Sequence, residues 1–306
     1  MINSTVSTVL ITGGTGFIGS QLTKLLQTEG FRVTHLSRSV SGKEKVKTYA
    51  WDIENGYIEN GAVEQADYII HLAGANIAQK RWTKERKKII IDSRVKSAEL
   101  IYNKASKSTG KLNAFISASG VGYYGTITSE KIFNEDDSAG SDFTAYTCKL
   151  WEEAALRFSN LGIRTVRVRT AIVFGTNGGA LQKLANPINN FLGAPLGSGN
   201  QYFPWIHIND LCRIYLKAIQ DQTMQGVYNA AAPYHVTNKD LTKTIAKVLH
   251  KPLILPNVPA IAIKIVMGEL GDAILKGSRI SSEKIRKAGF HFNFPDIKIA
   301  LEDCLK

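Results

Sequence analysis

Thr12-Gly13-Gly14-Thr15-Gly16-Phe17-Ile18-Gly19 decides the fold of this 306-residue chain, because the residues on either side give its glycines a context. Before it, Thr8-Val9-Leu10-Ile11 is a β-branched and aliphatic run suited to a buried parallel strand. After it, residues 20–29 predict a helix with Leu22, Leu25 and Leu26 on one face, stopped by Gly30. Strand, glycine turn and helix in this order make a dinucleotide site. Gly13 permits the tight turn, Gly16 lets the backbone approach a pyrophosphate, and Gly19 lets the helix pack close to the strand. Thr15, Phe17 and Ile18 complete the loop. The helix end behind it offers N–H groups and a partial positive charge to phosphates.

The next strand decides which nucleotide. Residues 31–36 (FRVTHL) predict it, and an NAD site would carry an Asp or Glu at its end for the ribose 2′-hydroxyl. This chain has Ser37-Arg38 there. A guanidinium can fork onto a 2′-phosphate, so the expected cofactor is NADP(H); the plainer reading is a solvated Arg at a strand end.

Strand-like and helix-like runs alternate for the first two-thirds of the chain. Residues 68–73, 114–117 and 164–168 predict strands, and residues 93–107 and 152–160 predict helices. This rhythm demands a parallel sheet covered on both faces. From Gly175 onward glycines and prolines punctuate a looser texture, after which residues 226–229 predict a strand rejoining the sheet. Thr237-Asn238-Lys239-Asp240 opens a helix with a capping-box pattern. The expected architecture is α/β: a Rossmann-type doubly wound parallel sheet with a smaller C-terminal α/β substrate lobe. The domain bounds are 1–174 for the NADP-binding part, its sheet completed by 206–230, and 175–205 with 231–306 for the lobe.

A net charge of +12 raises the question of nucleic acid. The densest basic stretch, residues 80–88, runs straight into Ile89-Ile90-Ile91, which reads as the exposed face of an amphipathic helix, and no recognition motif accompanies it. A basic surface also draws in an anionic cofactor. Three scattered cysteines argue against a disulfide framework and fit a reducing compartment. With no secretory leader visible and the apolar stretch at residues 252–267 broken by two prolines and Lys264, the expectation is a cytoplasmic protein without membrane or nucleic-acid partner, a monomer or homodimer.

These motifs in this order resemble the extended short-chain dehydrogenase/reductase superfamily, which includes nucleotide-sugar epimerases, dehydratases and reductases. The likeness runs from the glycine turn through His71-Leu72-Ala73-Gly74 to Ser117-Ala118-Ser119. Within the superfamily the chain is similar to an atypical branch, the "epimerase family" of unassigned substrate. The stretches carrying that likeness are residues 92–95 (DSRV), 117–125 (SASGVGYYG), 169–175 (RTAIVFG) and 193–211 (GAPLGSGNQYFPWIHINDL), with Ala288-Gly289-Phe290 and Phe294-Pro295-Asp296 in the branch's own C-terminal domain. The resemblance implies that Ser37 and Arg38 hold the 2′-phosphate and that Leu72, Ala73 and Gly74 flank the ribose or pyrophosphate. It also implies that Arg94 reaches the cofactor and that Asp52 sits at the adenine contact, or else caps a turn.

Hydride-transfer members of the superfamily use a Ser or Thr with a Tyr and a Lys four residues later on a helix, the ammonium lowering the phenol's pKa. Ser119 is the candidate for the hydroxyl role. Tyr146 and Lys149 are three apart, a spacing that also keeps two side chains on one helical face, yet the resembled branch drops the pair. Tyr123 and Tyr124 are expected to line the nicotinamide end of the cleft. Gln201, Trp205 and His207 read as substrate-pocket lining, His207 alternatively as a satisfied buried imidazole. Glu135-Asp136-Asp137 reads as a solvated loop, and no metal site is expected. The functional expectation is an NADP(H)-dependent oxidoreductase or epimerase of a small hydroxyl- or carbonyl-bearing substrate. The alternative, resting on the broken Tyr-x-x-x-Lys pattern, is an NADP(H)-binding redox sensor or interaction partner with little catalysis.

Overall fold

The computed structural model describes residues 6–176 and 178–306; residues 1–5 of the expected first domain and residue 177 of the expected lobe lie outside the described residues. The strands are β1 (Thr8–Thr12), β2 (Arg32–Ser37), β3 (Thr48–Asp52), β4 (Tyr57–Ile58), β5 (Tyr68–His71), β6 (Ala114–Gly120), β7 (Ile132–Phe133), β8 (Arg164–Thr170), β9 (Ile172–Gly175), β10 (Gly178–Gly179), β11 (Trp205–His207), β12 (Gly226–Ala230) and β13 (Arg279–Ile280). The helices are α1 (Phe17–Thr28), α2 (Lys84–Ala105), α3 (Phe143–Leu156), α4 (Leu181–Asn189), α5 (Ile208–Gln220), α6 (Asn238–Val248), α7 (Ala260–Met267), α8 (Glu269–Ile274), α9 (Glu283–Lys287) and α10 (Ile297–Leu305).

An eight-stranded sheet of order β12-β8-β6-β5-β1-β2-β3-β4 organises them, parallel from β12 to β3 with β4 antiparallel at the edge. All five residues of β1 are buried, so both sheet faces need cover. Val9 and Ile11 pack with Leu22 and Leu26 of α1 and Leu211 of α5. Leu10 points the other way, with Ile69, Phe115, Ile101 of α2 and Phe158. The Phe115 and Phe158 rings stack at 3.7 Å and 4°, anchoring the second face. The two-residue alternation of side chains thus sorts one apolar strand into two cores.

The sequence reading assigns no strand to residues 48–58, yet β3 and β4 widen the sheet there; only Tyr49 and Trp51 of β3 turn inward, a pattern too short to stand out. The basic stretch does open an amphipathic helix: Thr83 caps α2, its hydroxyl accepting from the Arg86 amide, and Ile90 is buried while Ile89 is half exposed. A three-stranded sheet, β10-β9-β11, and a second core of Phe174, Trp205, Ile188, Leu241, Ile245 and Leu301 build the C-terminal region. β13 pairs in parallel with β7, tying the late chain to the segment after β6. No described helix is long and apolar enough to cross a membrane, and Cys148, Cys212 and Cys304 are free and buried.

The strand order reverses between β1 and β5, and that is where a crevice opens at the carboxyl ends. A buried polar chain fixes it. The Thr12 hydroxyl oxygen accepts from the Leu72 and Ala73 amides, both at 3.1 Å, so its own proton goes to His71 Nδ1 at 2.8 Å. His71 Nε2–H then faces Ser97 Oγ of α2 at 3.1 Å, and that hydroxyl donates to Ser93 O at 2.8 Å. Burial pushes the His71 pKa down to about 4, well below the ordinary 6.5.

The imidazole is therefore neutral in the folded state, whereas the unfolded chain takes up a proton below about pH 6.5. Stability from this group is fully present above that value and falls as pH drops toward about 4. The loss amounts to about 3 kcal/mol. Urea midpoints measured between pH 7 and 4 are expected to fall less steeply for His71→Gln than for the parent chain.

Candidate functional site

The glycine turn bends where the sequence requires it. Gly13 has φ +70°, and a Cβ there would lie 3.3 Å from the backbone of Leu72 and Ala73. At Gly19 a Cβ would lie 2.2 Å from the Gly13 carbonyl oxygen, so any side chain would push α1 off the loop. Gly16 caps α1 with no side chain, leaving the Phe17, Ile18 and Gly19 amides without an intrahelical acceptor. The Phe17 ring turns away from the crevice and packs beneath Gly175, Gly178 and Gly179, where added Cβ atoms would sit 2.8–2.9 Å from it.

A groove of about 520 Å³ runs past this turn, lined by Gly13, Thr15, Gly16, Ser37, Arg38 and residues 72–76. Gly14 contributes too, since a Cβ there would strike the His35 ring. Arg38 also borders an adjoining space of about 650 Å³ walled by Trp51, Ile53 and Ile89. Its guanidinium makes no hydrogen bond or ion pair among the described residues, while the Ser37 hydroxyl donates to Ser39 O in a turn.

Asp52 lines that adjoining space together with Arg38, Trp51 and Ile53, and its carboxylate also caps a turn, accepting from the Glu54 and Asn55 amides and the Asn55 side chain. Arg94 is partly committed. Half-buried, with its pKa lowered by desolvation to about 10, it donates from Nη1 to Ala75 O at 3.1 Å and Ile90 O at 2.8 Å and lies over the Trp151 ring. It braces the loop behind Gly74 rather than reaching into the groove.

Tyr146 and Lys149 are corrected outright. Both stand on the solvent face of α3, more than half exposed, and Lys149 only approaches Glu153. The inward positions at four-residue spacing are Thr144 and Cys148, both buried and both close to Gly122. Burial, and then the Glu152 charge, push the Cys148 thiol up to about 11, so it is neutral at ordinary pH and cannot replace a lysine.

Charge enters from β8 instead. Arg169 forks onto Glu152, Nε to Oε1 at 2.8 Å and Nη2 to Oε2 at 3.0 Å. Burial alone would lower its pKa, but Glu152 outweighs burial and the net shift is upward. Ser119 is drawn into this pair, its hydroxyl donating to Glu152 Oε1 at 2.8 Å. The Tyr123 ring lies face-on to the Arg169 guanidinium at 3.4 Å. Tyr124 does not line a cleft: it is buried, donates to Asn229 Oδ1 at 2.7 Å, accepts from Arg169 Nη1 at 3.0 Å, and is pushed up by burial to about 12. Glu135 is not a solvated loop residue either, since its carboxylate accepts from the Asn229 amide at 2.8 Å and burial raises its pKa. Sequence reasoning missed Glu152 and Arg169, because β8 carries three arginines and α3 two adjacent glutamates, and nothing in the sequence separates the buried ones from the rest.

The expected substrate lining is mostly core. Gln201 is buried and its Nε2 donates to Leu196 O at 3.0 Å; Trp205 is buried beside Phe174. His207 takes the buried alternative. It caps α5, its Nδ1 accepting from the Asn209 amide at 3.2 Å, and stacks on Phe294 at 3.7 Å. That uses its lone pair, so Nε2 carries the proton and faces Asp303 Oδ2 at 3.1 Å. The ligand-type atoms of His207, Asp303 and Cys304 lie within 4.8 Å of one another, but the imidazole has no lone pair left for a metal.

Glu152→Gln strips the buried guanidinium of its counter-charge and is expected to cost about 3–5 kcal/mol of stability in urea unfolding. Tyr146→Phe and Lys149→Met, on the outer face, are expected to stay within about 0.5 kcal/mol.

Residues 9–231 match the NAD dependent epimerase/dehydratase family, and residues 258–304 match a domain of unknown function, DUF1731. The chain is 35% identical over 296 residues to epimerase family protein SSP1921 of Staphylococcus saprophyticus, covering 96% of this chain and 98% of that one. It is 35% identical over 299 residues to epimerase family protein YfhF of Bacillus subtilis, covering 97% of each. Among solved structures, human epimerase family protein SDR39U1 with NADPH superposes with a TM-score of 0.88 at 32% identity, over 97% of this chain and 98% of that one. UDP-glucose 4-epimerase of Thermotoga maritima, at 19% identity and a TM-score of 0.75, shares the fold. The chain belongs to the NAD dependent epimerase/dehydratase family, within its "epimerase family" branch of extended short-chain dehydrogenase/reductases.

Proposed function

We propose that the protein is an NADP(H)-dependent oxidoreductase or epimerase acting on a small hydroxyl- or carbonyl-bearing substrate. The observation that carries the cofactor choice is the Arg38 guanidinium just after β2, which borders the groove and the adjoining space and makes no hydrogen bond or ion pair among the described residues. The human relative whose structure holds NADPH supports the same choice. The Phe17, Ile18 and Gly19 amides would take the pyrophosphate, Ser37 and Arg38 the 2′-phosphate, and Leu72, Ala73 and Gly74 the intervening ribose. Thr144 and Cys148 take no part in this assignment. NADP(H), when bound, supplies or accepts a hydride at its nicotinamide ring.

Proton transfer falls to Tyr123. Tyr124 is committed to Asn229 and Arg169, and Tyr146 points to solvent. Tyr123 stands beside Arg169 with no hydrogen bond to its hydroxyl among the described residues, so it can donate a proton to a substrate oxygen. Arg169 and Glu152 hold the ring, and Ser119 serves that pair rather than the substrate. The lobe of residues 175–205 and 231–306 would supply the substrate walls. A second reading, tight cofactor binding with little turnover, is favoured by the Thr144–Cys148 pair standing where an acid–base couple is expected.

Titration with NADPH and NADH tests the cofactor. A preference for NADPH that shrinks by about tenfold to a hundredfold in Arg38→Ala is expected, and equal affinity for both would refute the assignment. For the chemistry, Tyr123→Phe is expected to lower turnover of carbonyl substrates by about a hundredfold or more while leaving NADPH affinity intact. Tight NADPH binding with no oxidation on any carbonyl panel supports the second reading.

A further inference from the structure

The groove beside the glycine turn has a second wall, built from α2 and the loop before it. Arg86 and Ile89 of α2 line the groove with Asn76 and Gln79 of that loop. Arg86 Nη2 donates to Asn76 O and reaches Gln79 Oε1 at 3.5 Å, both neutral acceptors. Its Nε is buried and has no acceptor among the described residues.

Nor does Arg86 form an ion pair among the described residues. Asp92 of the same helix is taken by Lys88 and Lys96, and Glu269 of α8 by Lys87. Glu85 is exposed and turned back on the Thr83 cap. Arg94, further along α2, has no carboxylate partner either, and the Arg86 charge adds to the burial that lowers its pKa. A half-buried guanidinium with an orphaned donor and no counter-charge is costly until an anion completes it.

We propose that Arg86 is a ligand of the cofactor's pyrophosphate, reaching it from the α2 side of the groove. This rests on the cofactor reading above. The choice among phosphates follows from position. Arg86 lines the groove that holds Gly13, Thr15 and Gly16, but not the adjoining space that Arg38 shares with Trp51 and Asp52. Ile89 and Ser93 border both, so α2 passes from one to the other with Arg86 at the groove end. The pyrophosphate would then meet free amides of α1 and a forked guanidinium of α2. The Asn76 carbonyl fixes the guanidinium's direction, and Lys183 of α4 holds the same loop through Ala78 O at 3.3 Å.

Calorimetric titration of the full chain with NADPH, NADH and 2′-AMP tests this, alongside the thermal midpoint of the free protein. Arg86→Gln is expected to weaken NADPH and NADH alike by about tenfold to a hundredfold. It is expected to leave 2′-AMP, which has no pyrophosphate, unchanged. The ratio of the two dinucleotide affinities then stays that of the parent, whereas Arg38→Ala changes it. Arg86→Lys keeps the charge and loses the fork, so its affinity is expected between the two, and it carries the test if Arg86→Gln misfolds. The free Arg86→Gln protein is expected to keep or raise its midpoint, because an unbalanced charge beside Arg94 is gone. A loss confined to NADPH and 2′-AMP puts Arg86 on the 2′-phosphate and overturns the proposal. Unchanged affinity for both dinucleotides also overturns it, a lowered midpoint then marking Arg86 as a brace for the Asn76 loop. A parent that binds NADPH and NADH equally refutes the Arg38 assignment, while an equal loss of both in Arg86→Gln still upholds this one. A parent that binds neither overturns both.

Discussion

One hydroxyl holds the crevice open. Thr12 ends β1, and its oxygen takes the two amides that begin the loop after β5, while its proton goes to His71. At this point the strand order turns back on itself, so the adjacent strands send their chains to opposite sides. The Leu72 amide still reaches the Thr12 carbonyl at 3.2 Å, but the chain then leaves the ladder and the Ala73 amide must be satisfied otherwise. Thr12 does this without filling the space a ligand needs, and the neutral His71 passes the constraint on to α2 through Ser97. The groove's floor is thus set by two strands and a helix at once, which is the condition for a rigid phosphate-facing turn.

A second buried polar unit stands further along the same sheet edge. Arg169 and Glu152 join β8 to α3, and Ser119, Tyr123 and Tyr124 are all arranged around them. Two buried charges are tolerable only when each is matched, and here the guanidinium uses its fork on the carboxylate and its remaining nitrogen on a phenol. The helix that carries Glu152 keeps neutral groups, Thr144 and Cys148, at the inward positions beside it. Cationic character near Tyr123 comes from a strand rather than from the helix, since Arg169 stands on β8.

The cofactor half was legible because its chemistry is local. A turn without Cβ atoms and a bare helix end lie within about twenty residues of one another, and together they have one structural meaning. The parallel sheet followed from alternation alone, although β3 and β4 were too short to read. The catalytic half was not legible, because its partners meet only in three dimensions. Ser119 reads as the superfamily's substrate-holding hydroxyl until Glu152 is seen beside it, and Arg94 reads as a ligand contact until its two carbonyl acceptors are known. Tyr146 and Lys149 failed for a simpler reason: spacing tells which residues share a helical face but not which face is inward. Gln201 and Trp205 failed because an aromatic and amide-rich loop looks alike whether it lines a pocket or fills a core.

Phe17 links the two halves of the chain by volume rather than by bonding. Its ring fills the space left by three glycines in the β9–β10 hairpin, so the hairpin can sit against the glycine turn only while those positions lack side chains. The bulk at residue 17 and the emptiness at 175, 178 and 179 form one shared quantity. Substitution at either end would be tolerated only with a compensating change at the other. A loop that would grip phosphate and a hairpin that opens the second lobe are therefore bound to vary together, as if they were neighbours in sequence.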